Sequence, residues 1–328
     1  MNVLINGASG FLGSVAIREL AQKGHSGVAV SRRPIAALPS NWTWLARDRA
    51  LSAGTAQCLG IPDIDVVLHL EVKQHVFNPT ARDLAEFESV NVGGAQSWLE
   101  WCARSDVRRF AYISSIKSVR PAAIGPTRED AVGPNPTPYG ASKWAAEQCV
   151  RKWVELDRGR GAVVIRPAVI YGPGNTANVS AMLDAIRRRK FFLIGPNTNV
   201  KSLVSVCNAA AAIMHLMQRI APGAVEVYNL TDRESYSVAE LDAYIRANLG
   251  MSGNSPHLPL FVARSVAVLG DLLQRITGRV FPLNSSRLDA LVETTHFSVE
   301  KLLLSGFIHP EPTLSALTEM LTTTKPKP

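Results

Sequence analysis

The stretch Asn2-Val3-Leu4-Ile5-Asn6-Gly7-Ala8-Ser9-Gly10-Phe11-Leu12-Gly13 reads as a buried strand, a glycine-rich turn and the start of a helix. The helical pattern runs from Phe11 to Lys23 and stops at Gly24. Each glycine in the turn has a mechanical reason. The chain must reverse, a ligand must approach the main chain, and the helix must pack closely on the strand. The exposed N–H groups of the helix then face an anion. Gly7, Ser9, Gly10, Phe11, Leu12 and Gly13 are therefore candidates to hold a dinucleotide pyrophosphate. The next strand, Gly27 to Ser31, ends in Val30-Ser31-Arg32-Arg33 and carries no acid that would accept a ribose 2′-hydroxyl. The Arg32 and Arg33 guanidinium groups suit a 2′-phosphate instead, with Ser31 beside them. This favours NADP(H) and leaves NAD(H) possible; the alternative is that one or both arginines point to solvent. Asp48 is a candidate adenine contact.

Outward from this unit the same alternation continues. Val66 to Leu70, Arg109 to Ser114 and Ala162 to Arg166 are continuous apolar runs, with a helical pattern from about Leu84 to Arg104 between the first two. Strands without polar alternation are buried on both faces, as in a parallel sheet covered by helices. After Pro173 helical patterns dominate (178–190, 205–219, 237–249, 261–276), with Glu226 to Leu230 as an isolated strand. The expected architecture is α/β. A Rossmann-type doubly wound parallel sheet occupies 1–172, with strands returning from about 200–232. A smaller C-terminal α/β substrate-binding lid occupies most of 173–328, ending in a disordered tail at about 323–328.

Tyr139 and Lys143 lie four residues apart, one helical turn, so their side chains share a face. An ammonium there would stabilise phenolate and draw the tyrosine from about 10 toward neutrality. Ser115 follows the strand that ends at Ser114. The three predict acid/base chemistry on a carbinol or ketone. His69 ends a buried strand and reads as a packing residue. His75 could face the cleft but has no nucleophile to serve.

The charge balance, 35 basic against 27 acidic residues, suits an anionic ligand. The basic residues are scattered outside Arg187-Arg188-Arg189-Lys190 and the tail lysines, so nucleic acid is not expected. Four widely spaced cysteines and no metal-ligand spacing indicate neither disulfides nor a metal site, which fits a reducing cytoplasm. No signal peptide is indicated. The longest apolar candidate, Leu258 to Leu273, is broken by Pro259, Arg264 and Asp271, which predicts a packed or interface-lying helix rather than a membrane span.

With these motifs the chain resembles the extended short-chain dehydrogenase/reductases, the NAD-dependent epimerase/dehydratase family, in its nucleotide-sugar 4-epimerase and 4-keto-reductase branch. The segments that carry the resemblance are the glycine loop, Asp65 to Leu70, Asn91-Val92-Gly93-Gly94, Pro138 to Lys143 and Arg166 to Gly174. The resemblance implies Tyr139 as acid/base, Lys143 also on the nicotinamide ribose, and cofactor contacts from Leu70, Asn91, Ser114 and Pro167. Tyr112 to Lys117 is similar to the branch that makes surface-polysaccharide sugars. This implies a UDP- or dTDP-hexose substrate met by Lys117, Asn178 and Lys201, with Phe192 to Gly195 along the nucleotide. A homodimer is implied by analogy of fold. Two departures stand out. Glu71 and Val72 replace the usual small residues after the fourth strand, and Cys207 replaces an aspartate. Glu71 either alters cofactor or substrate placement, or pairs with Lys73 or Lys117. The leading expectation is hydride transfer at C4 of a nucleotide hexose. A reductase of a non-nucleotide carbonyl and a non-catalytic NADP(H) sensor are the alternatives.

Overall fold

Seven parallel strands form the central sheet: β1 (Asn2–Asn6), β2 (Ser26–Ser31), β3 (Trp42–Ala46), β4 (Val66–His69), β5 (Arg109–Ile113), β6 (Gly161–Pro167) and a returning strand, Val225–Leu230. They are seen in a computed structural model that describes residues 1–61, 63–131, 133–175, 178–277, 281 and 283–323. The order across the sheet is Val225–Leu230, β6, β5, β4, β1, β2, β3. The chain builds outward from β1 to β3, then crosses back to lay β4 on the other side of β1. That reversal opens a crevice beyond the carboxyl ends of β1 and β4, where α/β sheets bind ligands.

The strand residues alternate between two apolar layers. Val3, Ile5, Val66, Leu68, Ala111, Val163 and Ile165 pack on one side with Ala16, Ile17 and Leu20 of helix Phe11–Gln22 and with helix Val206–Met217. Leu4, Val67, Phe110, Tyr112, Ala162 and Val164 pack on the other with Trp98 and Trp101 of helix Gly94–Arg104 and Val150 and Trp153 of helix Pro138–Glu155. Both faces are covered, which is why the strands read as unbroken apolar runs. The apolar-run criterion misses β3. This is an edge strand whose Thr43 and Trp44 are exposed and only Trp42 is buried.

The helix expected from about Leu84 begins earlier, at Ala81, behind a Thr80–Asp83 capping box. It passes through a π-turn at Phe87–Gly93 before continuing as Gly94–Arg104. Such a widened turn is often found at functional sites.

The chain divides into two compact units. The first comprises Met1–Ile170, Val204–Asp232 and Phe297–Glu311. Its last segment is tied in by a buried polar network: Ser205 donates to Glu311 (2.6 Å), and the Asn208 amide donates to Asp232 (2.7 Å) and to the Glu311 carbonyl (2.9 Å). The second comprises Tyr171–Leu203, Arg233–His296 and Pro312–Pro328. Its described part holds helices Asn178–Arg187, Val238–Asn248, Leu260–Thr277, Ser285–Val292 and Thr313–Thr323. Two short strand pairs accompany them, Val200–Lys201 with Tyr236–Ser237 and Leu193–Ile194 with His257–Leu258. Thr323 ends a helix rather than starting a tail; the rest of the expected tail lies outside the described residues.

Candidate active site

At the end of β1, Gly7 takes a left-handed φ of +71°, and a Cβ there would lie 2.8 Å from the Leu70 carbonyl carbon. A Cβ on Gly13 would lie 2.7 Å from the Gly7 oxygen and 2.9 Å from the Ala8 Cα. The loop is thus a cradle that side chains would fill. Helix Phe11–Gln22 starts from Gly10 with no side-chain cap and no acid in its first turn, so its N-terminal N–H groups face the loop with their partial positive charge. Ser9 is exposed, while Phe11 and Leu12 are half-buried and pack against core residues. These features fit a dinucleotide pyrophosphate. Gly13→Ala is expected to cost about 1–3 kcal/mol through overpacking and to weaken NAD(P)H binding by roughly tenfold or more. A fluorescence titration of the cofactor checks this.

Asn6, which the sequence reading passed over, organises the crevice. It is buried, its Oδ1 accepts from the backbone N–H groups of Leu70 (3.0 Å) and Glu71 (3.2 Å), and its Nδ2 lies 2.7 Å from His69 Nδ1. One buried amide therefore sets the exit of β4 against the exit of β1. His69 stacks on Phe110 and Tyr112 at 5.9 and 5.6 Å, and burial followed by the Lys143 charge holds it well below its usual pKa. It is a neutral packing residue, as its position suggested.

Beyond β2, Ser31 is buried and bridges the Arg33 carbonyl (2.6 Å) and the Trp44 indole (3.0 Å). Arg32 and Arg33 are both exposed, and Asp48 is exposed in the first turn of helix Arg47–Ser52. Glu71 pairs with neither lysine considered above. Its Oε1 accepts from Arg47 Nε at 2.7 Å, whereas Lys73 is engaged by Asp83 (2.9 Å) and Glu86 (2.6 Å). The carboxylate after β4 is thereby neutralised locally.

Tyr139, Lys143 and Ser115 converge at the end of β5. Helix Pro138–Glu155 begins at Thr137, whose hydroxyl accepts from Gly140 N–H, with Pro138 in the first turn. Gly140 lets this helix press on β5's exit, since a Cβ there would lie 2.3 Å from the Lys117 oxygen. Tyr139 is buried, with the edges of His75 and Phe87 at 5.8 and 5.9 Å. Burial pushes its phenol up to about 12, opposed by a hydrogen bond with Ser115. Lys143 is buried too; its Nζ donates to the Ile113 carbonyl at 2.7 Å and lies 4.4 Å from the centre of the Tyr112 ring. Burial brings the ammonium down to about 7, opposed by the Glu147 carboxylate. The expected shift of Tyr139 toward neutrality is therefore corrected: burial raises the phenol, while the lysine donates to Ile113 and is itself brought down by burial. His75 is brought down to about 4 by burial and then by Lys117, so it is neutral beside the phenol.

Behind the three lies an ion pair without an assigned role in the sequence reading. Glu147, four residues beyond Lys143, receives Arg166 Nε (3.0 Å) and Nη2 (2.7 Å) and the Ser114 hydroxyl (2.5 Å). The spacing Tyr139, Lys143, Glu147 was the available signal. Ile113, Ser114 and Ser115 are thus held by Lys143, Glu147 and Tyr139, three successive turns of one helix face. Two residues expected on the cofactor have other partners. The Ser114 side chain turns to Glu147. Asn91 accepts from Lys73 N–H (2.8 Å) and donates to Ser142 Oγ (2.9 Å), bridging the β4 exit to the Tyr139 helix. Leu70 and Pro167 sit at the exits of β4 and β6, and Lys117 lies in a 3₁₀ turn whose N–H donates to Ser115 (3.1 Å).

The second unit holds the remaining candidates. Asn178 is exposed at the start of its helix. Lys201 donates to the Ala290 carbonyl at 3.0 Å and to the Glu293 carbonyl, at the negative end of helix Ser285–Val292, instead of standing ready for a diphosphate. Phe192 is exposed. In the first unit, Cys207 packs half-buried beside Val15, Val206 and Ala210. Among the described residues no cluster of His, Cys, Asp or Glu is placed to hold a metal ion, and no helix is long and apolar enough to cross a membrane.

Comparison with known proteins places this geometry. The chain is 30% identical, over 94% of its length and 91% of the relative, to N-acetyl-α-D-glucosaminyl-diphospho-ditrans,octacis-undecaprenol 4-epimerase of Escherichia coli O157:H7. It is 26% identical to 2-alkyl-3-oxoalkanoate reductase of Stenotrophomonas maltophilia, over 95% and 92% of the two chains. The fold matches that of MoeE5, solved in complex with UDP-glucose and NAD, with a TM-score of 0.74 at 23% identity and 98% coverage of each chain. The profile of the NAD dependent epimerase/dehydratase family matches residues 3–231. The chain belongs to that family, an enzyme of the extended short-chain dehydrogenase/reductase type with a nicotinamide cofactor.

Proposed function

We propose that this protein transfers hydride at C4 of a UDP- or dTDP-linked hexose, with Ser115, Tyr139 and Lys143 as catalytic residues. The observation that carries the reading is the convergence of Tyr139 and Ser115 at the exit of β5, on the same sheet edge as the glycine cradle after β1. A nicotinamide bound along that edge supplies or accepts the hydride. The chain's own residues handle the oxygen. Ser115 holds it by hydrogen bonding. The Tyr139 phenol, kept protonated by burial, donates its proton as a ketone becomes an alcohol. The Lys143 ammonium, where present, steadies the phenolate left behind. His75 and Phe87 pack against the phenol ring and limit water around it. The phenol is therefore available as a proton donor throughout the neutral range. The second unit is assigned the sugar-nucleotide contacts, Asn178 among them.

The test is an assay with a UDP-4-keto sugar and NADPH. Stoichiometric NADPH consumption without interconversion of UDP-sugars supports a reductase. Interconversion without net consumption supports an epimerase and the sugar relatives' chemistry. One observation favours a second reading, a reductase of a non-nucleotide carbonyl: Lys201, the expected partner of the diphosphate, is bound to helix carbonyls. Calorimetry with UDP discriminates, because that reading requires no affinity for the bare nucleotide.

The cofactor is assigned as NADP(H) from Arg32 and Arg33, both exposed just beyond β2. Replacing both with serine is expected to raise the KM for NADPH about 10- to 100-fold, the value of one or two charge-assisted contacts. The KM for NADH should change little. Equal effects on the two cofactors would remove the assignment.

A further inference from the structure

Helix Leu260–Thr277 turns its small residues inward and its large apolar ones outward. Ala263 and Ala267 are fully buried against Leu288, and Gly270 is so close to the neighbouring segment that a Cβ would lie 2.2 Å from the Leu283 oxygen. Opposite them, Phe261 (73%), Val268 (63%), Leu269 (54%), Leu272 (53%) and Ile276 (71%) are exposed. At about 100° per residue these five fall within an arc of roughly 100° along a rod about 27 Å long. A stripe of this kind on a soluble surface marks an interaction site.

The charges around the stripe say what it meets. Asp271, the helix's one acid, is half-buried on the same flank as Arg264 and accepts from Ser285 N–H of the neighbouring helix at 3.3 Å. Arg264 is exposed at the edge of the stripe. The strand Leu193–Ile194 pairs with His257–Leu258, the segment that leads into the helix. Just before that strand stand exposed Phe192, Lys190 and Arg189. The second unit as a whole has thirteen basic and eight acidic residues. An apolar stripe on a unit with an excess of exposed basic residues matches the surface of an anionic bilayer, where the apolar face enters the headgroup boundary and the cations meet phosphate.

We propose that helix Leu260–Thr277 is an interfacial helix that docks this protein on an anionic lipid surface, with Arg264, Arg189 and Lys190 on the headgroup phosphates. The inference goes beyond the hydride chemistry and does not depend on it.

Flotation of the full chain with vesicles tests it without any turnover readout. The protein should float with phosphatidylcholine vesicles containing phosphatidylglycerol, less so at high salt, and poorly with phosphatidylcholine alone. Leu269→Ser with Leu272→Ser should lower the bound fraction tenfold or more, with thermal unfolding unchanged because both sites are exposed. Arg189→Gln with Lys190→Gln should reduce binding to the anionic vesicles only. Failure of the parent protein to float with anionic vesicles overturns the proposal, as does equal flotation of the leucine variant. A dimer, found by sedimentation without lipid and dissociated by the leucine substitutions, also overturns it and assigns the face to a second copy.

Discussion

Tyr139→Phe is expected to lower kcat for carbonyl reduction by about 10²- to 10⁴-fold, the usual contribution of a positioned general acid, while NADPH affinity stays within about twofold. The phenylalanine keeps the ring that packs against His75 and Phe87 and removes only the hydroxyl that meets Ser115. Cofactor titration by fluorescence alongside steady-state kinetics checks both halves. Unchanged activity would leave the catalytic assignment without support and favour a cofactor-sensing role. The pH profile carries a second expectation. The phenol, at about 12, stays protonated through the neutral range and adds no limb there. Lys143 changes charge at about 7. Its ammonium is present below that pH and lost above it, so reductive kcat should decline as pH rises through about 7. A flat profile from pH 6 to 9 would show that the ammonium does not take part.

The Arg166–Glu147 pair should dominate single-site stability effects in the first unit. Both side chains are essentially inaccessible, the contact is two-pronged, and Ser114 adds a third bond to the same carboxylate. Removing one partner strands the other charge in the interior, at a cost of about 3–5 kcal/mol. Glu147→Gln and Arg166→Met should each lose about that much in urea unfolding. Glu147→Gln combined with Arg166→Met should lose clearly less than the sum of the two, because no charge is then left unpaired. Additive losses would contradict the pairing. Glu147 also holds the Lys143 pKa up against burial. Where Glu147→Gln stays folded, the pH inflection in kcat should therefore move to more acidic values. A purely structural role for Glu147 would leave that inflection in place.

Much of this arrangement is legible along the chain. Unbroken apolar runs such as Val66 to Leu70 and Ala162 to Arg166 announce strands covered on both sides, since only a strand with no wet face can dispense with polar residues. The glycine loop and the four-residue step from Tyr139 to Lys143 depend on local geometry, and local geometry is what sequence spacing encodes. The resemblance to the epimerase/dehydratase family rests on those same segments. Edge strand β3 escaped because one of its faces is wet and its pattern is mixed.

Partner choice is a different matter. Glu71 sits beside Lys73 in sequence but bonds Arg47, 24 residues away, because the exits of β3 and β4 deliver those two side chains to each other. Lys201 reaches carbonyls 89 and 92 residues on. Asn91 and Ser114, placed on the cofactor by their motifs, are taken up by Ser142 and Glu147. Periodicity states which face of an element is buried. It does not state which of several like-sized polar groups from other elements will lie within 3 Å, and burial then decides protonation. So the buried strands, the cradle and the Ser115–Tyr139–Lys143 set follow from the chain itself. The lowered lysine pKa, the high phenol and the Glu147–Arg166 support arise only when distant elements close over them and exclude water.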